Sequence, residues 1–248
     1  MNNPSLPPDA PSGNIWALIV AGGSGTRVGG PVHKQLLPLA DGREVLVHAV
    51  LPFEESSSVT GIVLVSAEED IPRCRELIAK YKLSKVRTVV PGGKTRQLSV
   101  LNGLQALPDS CELVAIHDAA RPFLPADALE RVLKAASENP GGAALALPVT
   151  DTIVEAAPAK DAGQEPAEAF SLHGVPVTGL PDRSLLWAMQ TPQVFHREAL
   201  LRAHRKALEM GRTDHTDDVQ VLKSYSCLPV YLVKGDACNK KITVASDL

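Results

Sequence analysis

Short, nearly continuous apolar runs alternate with stretches of helical periodicity along most of this chain. The runs predict strands at 15–20, 61–66, 86–90, 112–117 and 143–149, and each of the first four is followed by a helical pattern. The clearest helix is predicted over 96–107, where Leu98, Leu101, Leu104 and Leu107 recur at every third position and read as one apolar face. Apolar strands separated by helices predict an α/β chain whose mainly parallel sheet is covered on both sides, a doubly wound fold. In such folds ligands sit beyond the carboxyl ends of the strands, so the residues that follow each strand are the candidates for chemistry.

Three strand ends carry a pattern. After 15–20 comes Ala21-Gly22-Gly23-Ser24-Gly25-Thr26-Arg27, with Lys34 seven residues further on. After 86–90 comes Pro91-Gly92-Gly93-Lys94-Thr95-Arg96, and after 112–117 comes Asp118-Ala119-Ala120-Arg121-Pro122. Glycines let backbone N–H groups approach an anion closely, and the cations supply the charge that a triphosphate requires. The first loop is not a dinucleotide fingerprint, because Val28 stands where its third glycine belongs. Gly93-Lys94-Thr95 does not end a P-loop either, because Thr88 occupies the position of the opening glycine. A glycine-rich turn without a ligand has the same composition, and Arg27 and Lys34 are the residues that favour phosphate binding. A carboxylate among these cations, Asp118, points to Mg²⁺ held between it and the phosphates. The plainer alternative is that Asp118 caps the next helix or pairs with Arg121.

Composition removes several classes of function. The 248 residues are 44% hydrophobic with a net charge of −3, which gives no basic surface for a nucleic acid polymer. Residues 1–14 hold four prolines, no basic start and no apolar core, so they read as a disordered tail. No apolar run approaches the ~20 residues that span a bilayer, so no membrane association is expected. Cys74, Cys111, Cys227 and Cys238 are scattered without a metal-ligand or disulfide spacing, which suits a reducing cytoplasm. His117 alternates with Asp118 along its strand and is expected to point to the opposite face as a packing or hydrogen-bonding residue. The other histidines show no ligand spacing, and Thr213-Asp214-His215-Thr216-Asp217-Asp218 reads as a helix start with an Asp or Thr cap. No Cys or His nucleophile pattern is present.

The glycine loop with Lys34-Gln35, the segment Ile116-His117-Asp118-Ala119-Ala120-Arg121-Pro122, Gln190-Thr191-Pro192-Gln193 and Asn239-Lys240-Lys241-Ile242-Thr243 together resemble the 2-C-methyl-D-erythritol 4-phosphate cytidylyltransferases. The resemblance runs from about residue 15 to the C-terminus and implies a Rossmann-like nucleotidyltransferase fold, one domain over 15–248 with an extended dimerisation arm at about 149–187. It implies that Ala21, Gly22, Gly23, Gly25, Gly92, Gly93 and Ser99 bind CTP, and that Arg27, Lys34 and Lys241 neutralise phosphates during catalysis. Asp118 resembles the Mg²⁺ ligand, and Arg121, Thr152, Arg183 and Thr191 the contacts of a polyol phosphate. A homodimer with shared active sites is implied. Ribitol-5-phosphate cytidylyltransferases carry nearly the same motifs, so CDP-ribitol synthesis is the nearest alternative, followed by a nucleotide-binding regulator without turnover. Three features depart from the family pattern: Lys94 in place of a frequent acid, a longer connection over 156–182, and a chain that stops at Leu248.

Overall fold

The computed structural model describes residues 14–22, 33–157, 175–243 and 247. Apart from Asn14, the tail predicted over 1–14 lies outside these residues, as do Gly23, Gly25 and Arg27 of the glycine loop. Strand β1 (Ile15–Ala21) shows how the chain makes two cores from one sheet. Its residues Ile15, Ala17, Ile19 and Ala21 enter one apolar cluster, while Leu18, with Trp16 and Val20 beside it, enters another. Successive side chains of a strand point to opposite faces, so a run apolar at every position is covered on both sides. Helices α1 (Val45–Glu55), α2 (Ile71–Tyr81) and α4 (Ala126–Ser137) cover the first face. Helices α3 (Arg96–Ala106), α5 (Arg197–Glu209) and α6 (Asp218–Tyr225) cover the second.

Strands β2 (Val59–Ser66), β3 (Val86–Pro91), β4 (Leu113–Asp118), β5 (Ala143–Pro148), β8 (Trp187–His196) and β9 (Tyr231–Lys234) complete a sheet of order β3-β2-β1-β4-β8-β5-β9. The β1–β2, β2–β3, β1–β4 and β5–β9 pairs are parallel. The chain winds from β1 outward to β3 and then returns to place β4 on the other side of β1. That reversal opens a crevice at the carboxyl ends of β1 and β4, where ligands of open α/β sheets bind. The three strand ends singled out by sequence are not all neighbours, since β2 lies between β1 and β3. Their loops meet nonetheless, because the Gly92 N–H donates to the Ser66 carbonyl at the end of β2 at 2.8 Å.

Two departures from the sequence reading have physical causes. Strand β8 runs antiparallel to β4, pairing Leu113 with His196 and Ile116 with Gln193. Its interior carries Gln190, Thr191 and Gln193, all buried, in place of an apolar run, and those side chains are satisfied by hydrogen bonds to Asp236, His117 and Asp217. Of the leucines at every third position, Leu101, Leu104 and Leu107 enter one core cluster and Leu98 does not, because three residues turn a helix by about 300° and each step drifts by about 60°. The buried face comprises Gln97, Val100, Leu101 and Leu104, with Leu98 left partly exposed.

Helix α3 approaches the sheet closely at Gly103, where an added Cβ would lie 2.2 Å from Leu18 Cδ1 and 2.8 Å from Val65 Cγ2. Gly103→Ala is therefore expected to lower stability, the overpacking cost of about 1–3 kcal/mol exceeding the helix-propensity gain of about 1 kcal/mol. A thermal melt showing an unchanged or raised Tm would contradict that close approach.

Leu147–Ala188 forms a second compact unit. Within it, β6 (Glu155–Ala156) and β7 (Val177–Gly179) pair antiparallel, and a 3-10 turn at Arg183–Leu185 is capped by Asp182, which accepts from Ser184 N–H at 2.9 Å. The Val149 N–H donates to the Leu186 carbonyl at 3.1 Å, and Arg183 Nη1 to the Thr150 carbonyl at 2.9 Å. Ile153, Val154, Val177, Leu180, Leu185 and Trp187 are all exposed.

Candidate active site

The crevice beyond β1 and β4 is a cavity of about 700 Å³, within the range of small-molecule sites. Its walls begin with Ala21 and Gly22 at the end of β1. Gln35, itself buried, holds that end by donating to the Ala21 carbonyl at 2.7 Å. Opposite lie Gly92 and Gly93, in the loop that leads from β3 to α3. A Cβ on Gly92 would stand 3.0 Å from Ser99 Oγ and one on Gly22 would stand 3.2 Å from it, so a side chain at either position would crowd the Ser99 hydroxyl between the two loops. Ser99 staples this wall: its hydroxyl accepts from Gly93 N–H at 3.0 Å and donates to the Thr95 carbonyl at 2.9 Å. Thr95 caps α3 by accepting from Leu98 N–H at 3.2 Å.

The floor is Asp118, the last residue of β4. Its backbone N–H donates to Thr191 Oγ1 at 3.1 Å. Its carboxylate accepts from Arg96 Nε at 3.1 Å and from Lys241 Nζ at 2.7 Å, one cation to each oxygen. Burial works against the charged form, but the Arg96 guanidinium and the Lys241 ammonium hold this carboxyl well below the usual carboxylate range. Asp118 is thus anionic at any working pH. Neither plain alternative for its side chain is realised: it pairs with Arg96 and Lys241, and only its backbone carbonyl meets Arg121, accepting from the Arg121 N–H at 3.0 Å.

The C-terminal segment reaches the site through backbone and side-chain hydrogen bonds. The Ile242 N–H donates to the Ala120 carbonyl at 2.8 Å, and Lys34 Nζ donates to the Ile242 carbonyl at 2.7 Å. Asn239, fully buried, donates to the Thr191 carbonyl at 2.8 Å. These contacts bring Lys34 and Lys241, far apart in sequence, into the wall of one cavity.

Ala21, Gly22, Lys34, Gly92, Gly93, Ser99, Asp118 and Lys241 therefore line a single cavity, while Gly23, Gly25 and Arg27 fall outside the described residues. Arg121 and Thr191 stand one layer back. Arg121 donates to the carbonyls of Asn239 at 2.8 Å and Met189 at 3.3 Å, and its Nε is buried without a partner among the described residues. The Thr191 hydroxyl, which accepts from Asp118 N–H, donates to His117 Nδ1 at 3.0 Å. His117 Nε2 lies 3.0 Å from the Arg121 carbonyl, which can only accept, so Nε2 carries the proton and Nδ1 is the acceptor. Thr152 and Arg183 belong to the second unit.

Burial depresses the His117 pKa to about 4, so the ring is neutral in the folded protein near pH 7. The unfolded chain binds a proton there below about pH 6.5, so this residue makes stability fall as pH drops from about 6.5 towards 4. The gap corresponds to about 3 kcal/mol at the acid end. His117→Gln is expected to flatten that part of the stability–pH curve in denaturant titrations. An equally steep acid limb in the variant would assign it to other groups.

Two contributors were not singled out by sequence. Gln35 was visible only as the neighbour of Lys34. Asp218 reads in sequence as one of the acids of a helix start, but Asp217 is the cap, accepting from Val219 N–H at 2.8 Å, and Asp218 instead accepts from Arg96 Nη1 at 2.7 Å. Two adjacent aspartates where a cap needs one were the available signal.

Residues 15–248 match the family model of 2-C-methyl-D-erythritol 4-phosphate cytidylyltransferase (IspD). A protein of that description from Desulforamulus reducens is 42% identical over 237 residues, covering 95% of this chain and 93% of its own length. One from Caldanaerobacter subterraneus subsp. tengcongensis is 39% identical over 236 residues, covering 95% and 96%. Among solved structures, 4-diphosphocytidyl-2C-methyl-D-erythritol synthase from Anaerococcus prevotii superposes with a TM-score of 0.75 at 28% identity, covering 95% of this chain and 92% of that one. With the family model matched from the first strand to the last residue, and with the cavity at the strand ends that its motifs build, the chain belongs to the 2-C-methyl-D-erythritol 4-phosphate cytidylyltransferases, a family of nucleotidyltransferases that work on CTP and a sugar phosphate.

Proposed function

We propose that this protein transfers CMP from CTP to 2-C-methyl-D-erythritol 4-phosphate, releasing pyrophosphate. The observation that carries the reading is that Lys34, Arg96 and Lys241 line one cavity with the ionised Asp118 carboxylate, together with Gly22, Gly92 and Gly93, in a chain of this family. A phosphate oxygen of the polyol substrate forms the new bond to the α-phosphorus of CTP, and the bond from that phosphorus to the pyrophosphate oxygen breaks. The attacking phosphate is already ionised, so no general base is needed, in keeping with a neutral, internally bonded His117. Catalysis is then positioning and charge stabilisation. Ala21, Gly22, Gly92 and Gly93 form close-packed walls for the nucleotide, with Ser99 holding the second wall in place. Lys34 and Lys241 take the phosphate charge, with Arg27, Gly23 and Gly25 assigned by family resemblance. Arg121 and Thr191 act here by holding Asn239 and Asp118, which gives them a positioning role towards the polyol phosphate site.

Nucleotidyl transfer in this family generally employs a divalent metal, and we assign Mg²⁺. Among the described residues no group of three or more His, Cys, Asp or Glu gathers for a metal, and both oxygens of Asp118 already carry a cation's hydrogen bond. That donor set fits an ion delivered with the triphosphate and touching one carboxylate, the usual arrangement for Mg²⁺. When bound, the ion neutralises charge on the triphosphate and its leaving group.

The second unit supports a homodimer with shared sites. Its Ile153, Val154, Val177, Leu180, Leu185 and Trp187 are exposed apolar side chains of the kind that another subunit covers. Thr152 and Arg183 are then supplied to the site of the other protomer. Mixing Arg183→Ala with Lys34→Ala protomers, with exchange verified, is expected to recover up to about a quarter of parental activity. Exchange without recovery would assign both residues to one chain's site. The scattered, free cysteines and the lack of any described helix long and apolar enough to cross a membrane support a cytoplasmic location.

The sugar is tested by comparing kcat/KM for 2-C-methyl-D-erythritol 4-phosphate and D-ribitol 5-phosphate with CTP and Mg²⁺. The proposal expects the former to be preferred at least about tenfold, the scale on which pocket contacts separate close analogues. Preference for ribitol phosphate would reassign the substrate.

A further inference from the structure

We propose that Asp218, acting through Arg96, is a positioning residue that fixes how the Asp118 carboxylate is presented to the metal–triphosphate ligand; this rests on the nucleotidyl-transfer reading above. Arg96 is the first residue of α3, where the helix dipole disfavours a cation, so its placement calls for a compensating role. It is compensated by two carboxylates at once, Asp118 through Nε at 3.1 Å and Asp218 through Nη1 at 2.7 Å. Asp218 is fully buried, and its other oxygen lies 3.2 Å from Nε2 of His204, also buried. Helix α6 does not need this carboxylate as a cap, because Asp217 already accepts from Val219 and Gln220 N–H.

The consequence is geometric. A guanidinium with one carboxylate partner frequently turns a pair of N–H groups onto both of its oxygens. Holding Nη1 on Asp218 leaves Asp118 with only the Nε contact from Arg96, so Oδ2 is kept for Lys241 and for ligand. Without Asp218, Arg96 would close on Asp118 and compete with Lys241 and the incoming cation. Lysine does not reproduce this bridge, because its compact ammonium lacks the rigid planar fork that aims separate nitrogens at the two carboxylates.

Asp218→Asn and Arg96→Lys test the proposal, with Mn²⁺ as the probe in place of Mg²⁺. Binding of Mn²⁺ in the presence of CTP is read from the electron paramagnetic resonance signal of free Mn²⁺, alongside kcat, KM for CTP and Tm. In both variants Mn²⁺ affinity and kcat are expected to fall by about ten- to a hundredfold, the scale for residues that orient a metal ligand. KM for CTP is expected to change far less. If Asp218→Asn does not fold, Arg96→Lys carries the test alone. Unchanged Mn²⁺ affinity in a folded variant, whatever its Tm, would overturn the proposal. Absence of CMP transfer by the parent protein would instead overturn the functional reading, and the Mn²⁺ measurement would still decide the positioning role.

Discussion

Lys241→Ala is expected to lower kcat by a factor on the order of a hundred to a thousand while leaving the fold nearly intact. The ammonium lies 2.7 Å from Asp118 Oδ2 in the wall of the cavity, and its side chain is 41% exposed, so its removal opens no apolar void. In the proposed reaction the variant loses one of the cations assigned to the phosphate charge, and Asp118 keeps its hydrogen bond from Arg96 but not the one from Lys241. Steady-state turnover with CTP, Mg²⁺ and the polyol phosphate, together with a thermal melt, checks both halves. Turnover within a few-fold of the parent would remove Lys241 from the chemistry.

Asp118→Asn is expected to cost at least as much activity, and to cost stability as well. Asparagine keeps the shape of the side chain but not the charge that pairs with Arg96 and Lys241. Arg96 retains Asp218, so the loss stays below that of an isolated buried cation, at about 1–3 kcal/mol. The folded-state pKa of Asp118 is depressed, so its contribution to stability is present above about pH 4, the unfolded value, and is lost on acidification below it. Parent and variant should therefore differ in stability at pH 7 and converge in strong acid. A folded Asp118→Asn protein with parental turnover would make the carboxylate purely structural.

The parts of this site that could be read from sequence are those where local chemistry dictates position. Gly22 and Gly92 follow apolar strands and leave room for the Ser99 hydroxyl between their loops, and Asp118 ends a strand buried on both faces. Strand β8 was hidden because its buried Gln190, Thr191 and Gln193 are satisfied by partners far along the chain, which no periodicity shows. The bridge from Asp218 through Arg96 was hidden for the same reason, since it joins residues 122 positions apart. Lys34 and Lys241 could be singled out by motif, but only tertiary staples through Ile242 and Asn239 explain why they meet.

The central claim is that this cavity directs attack onto the α-phosphorus of CTP. Phosphorus-31 NMR of the parent protein with CTP, Mg²⁺ and 2-C-methyl-D-erythritol 4-phosphate tests it most directly. Equal amounts of pyrophosphate and a cytidine diphosphate ester are expected, with both reduced at least about a hundredfold in the Lys241→Ala reaction over the same time. Orthophosphate as the product, or CTP left unchanged by the parent protein, would contradict it.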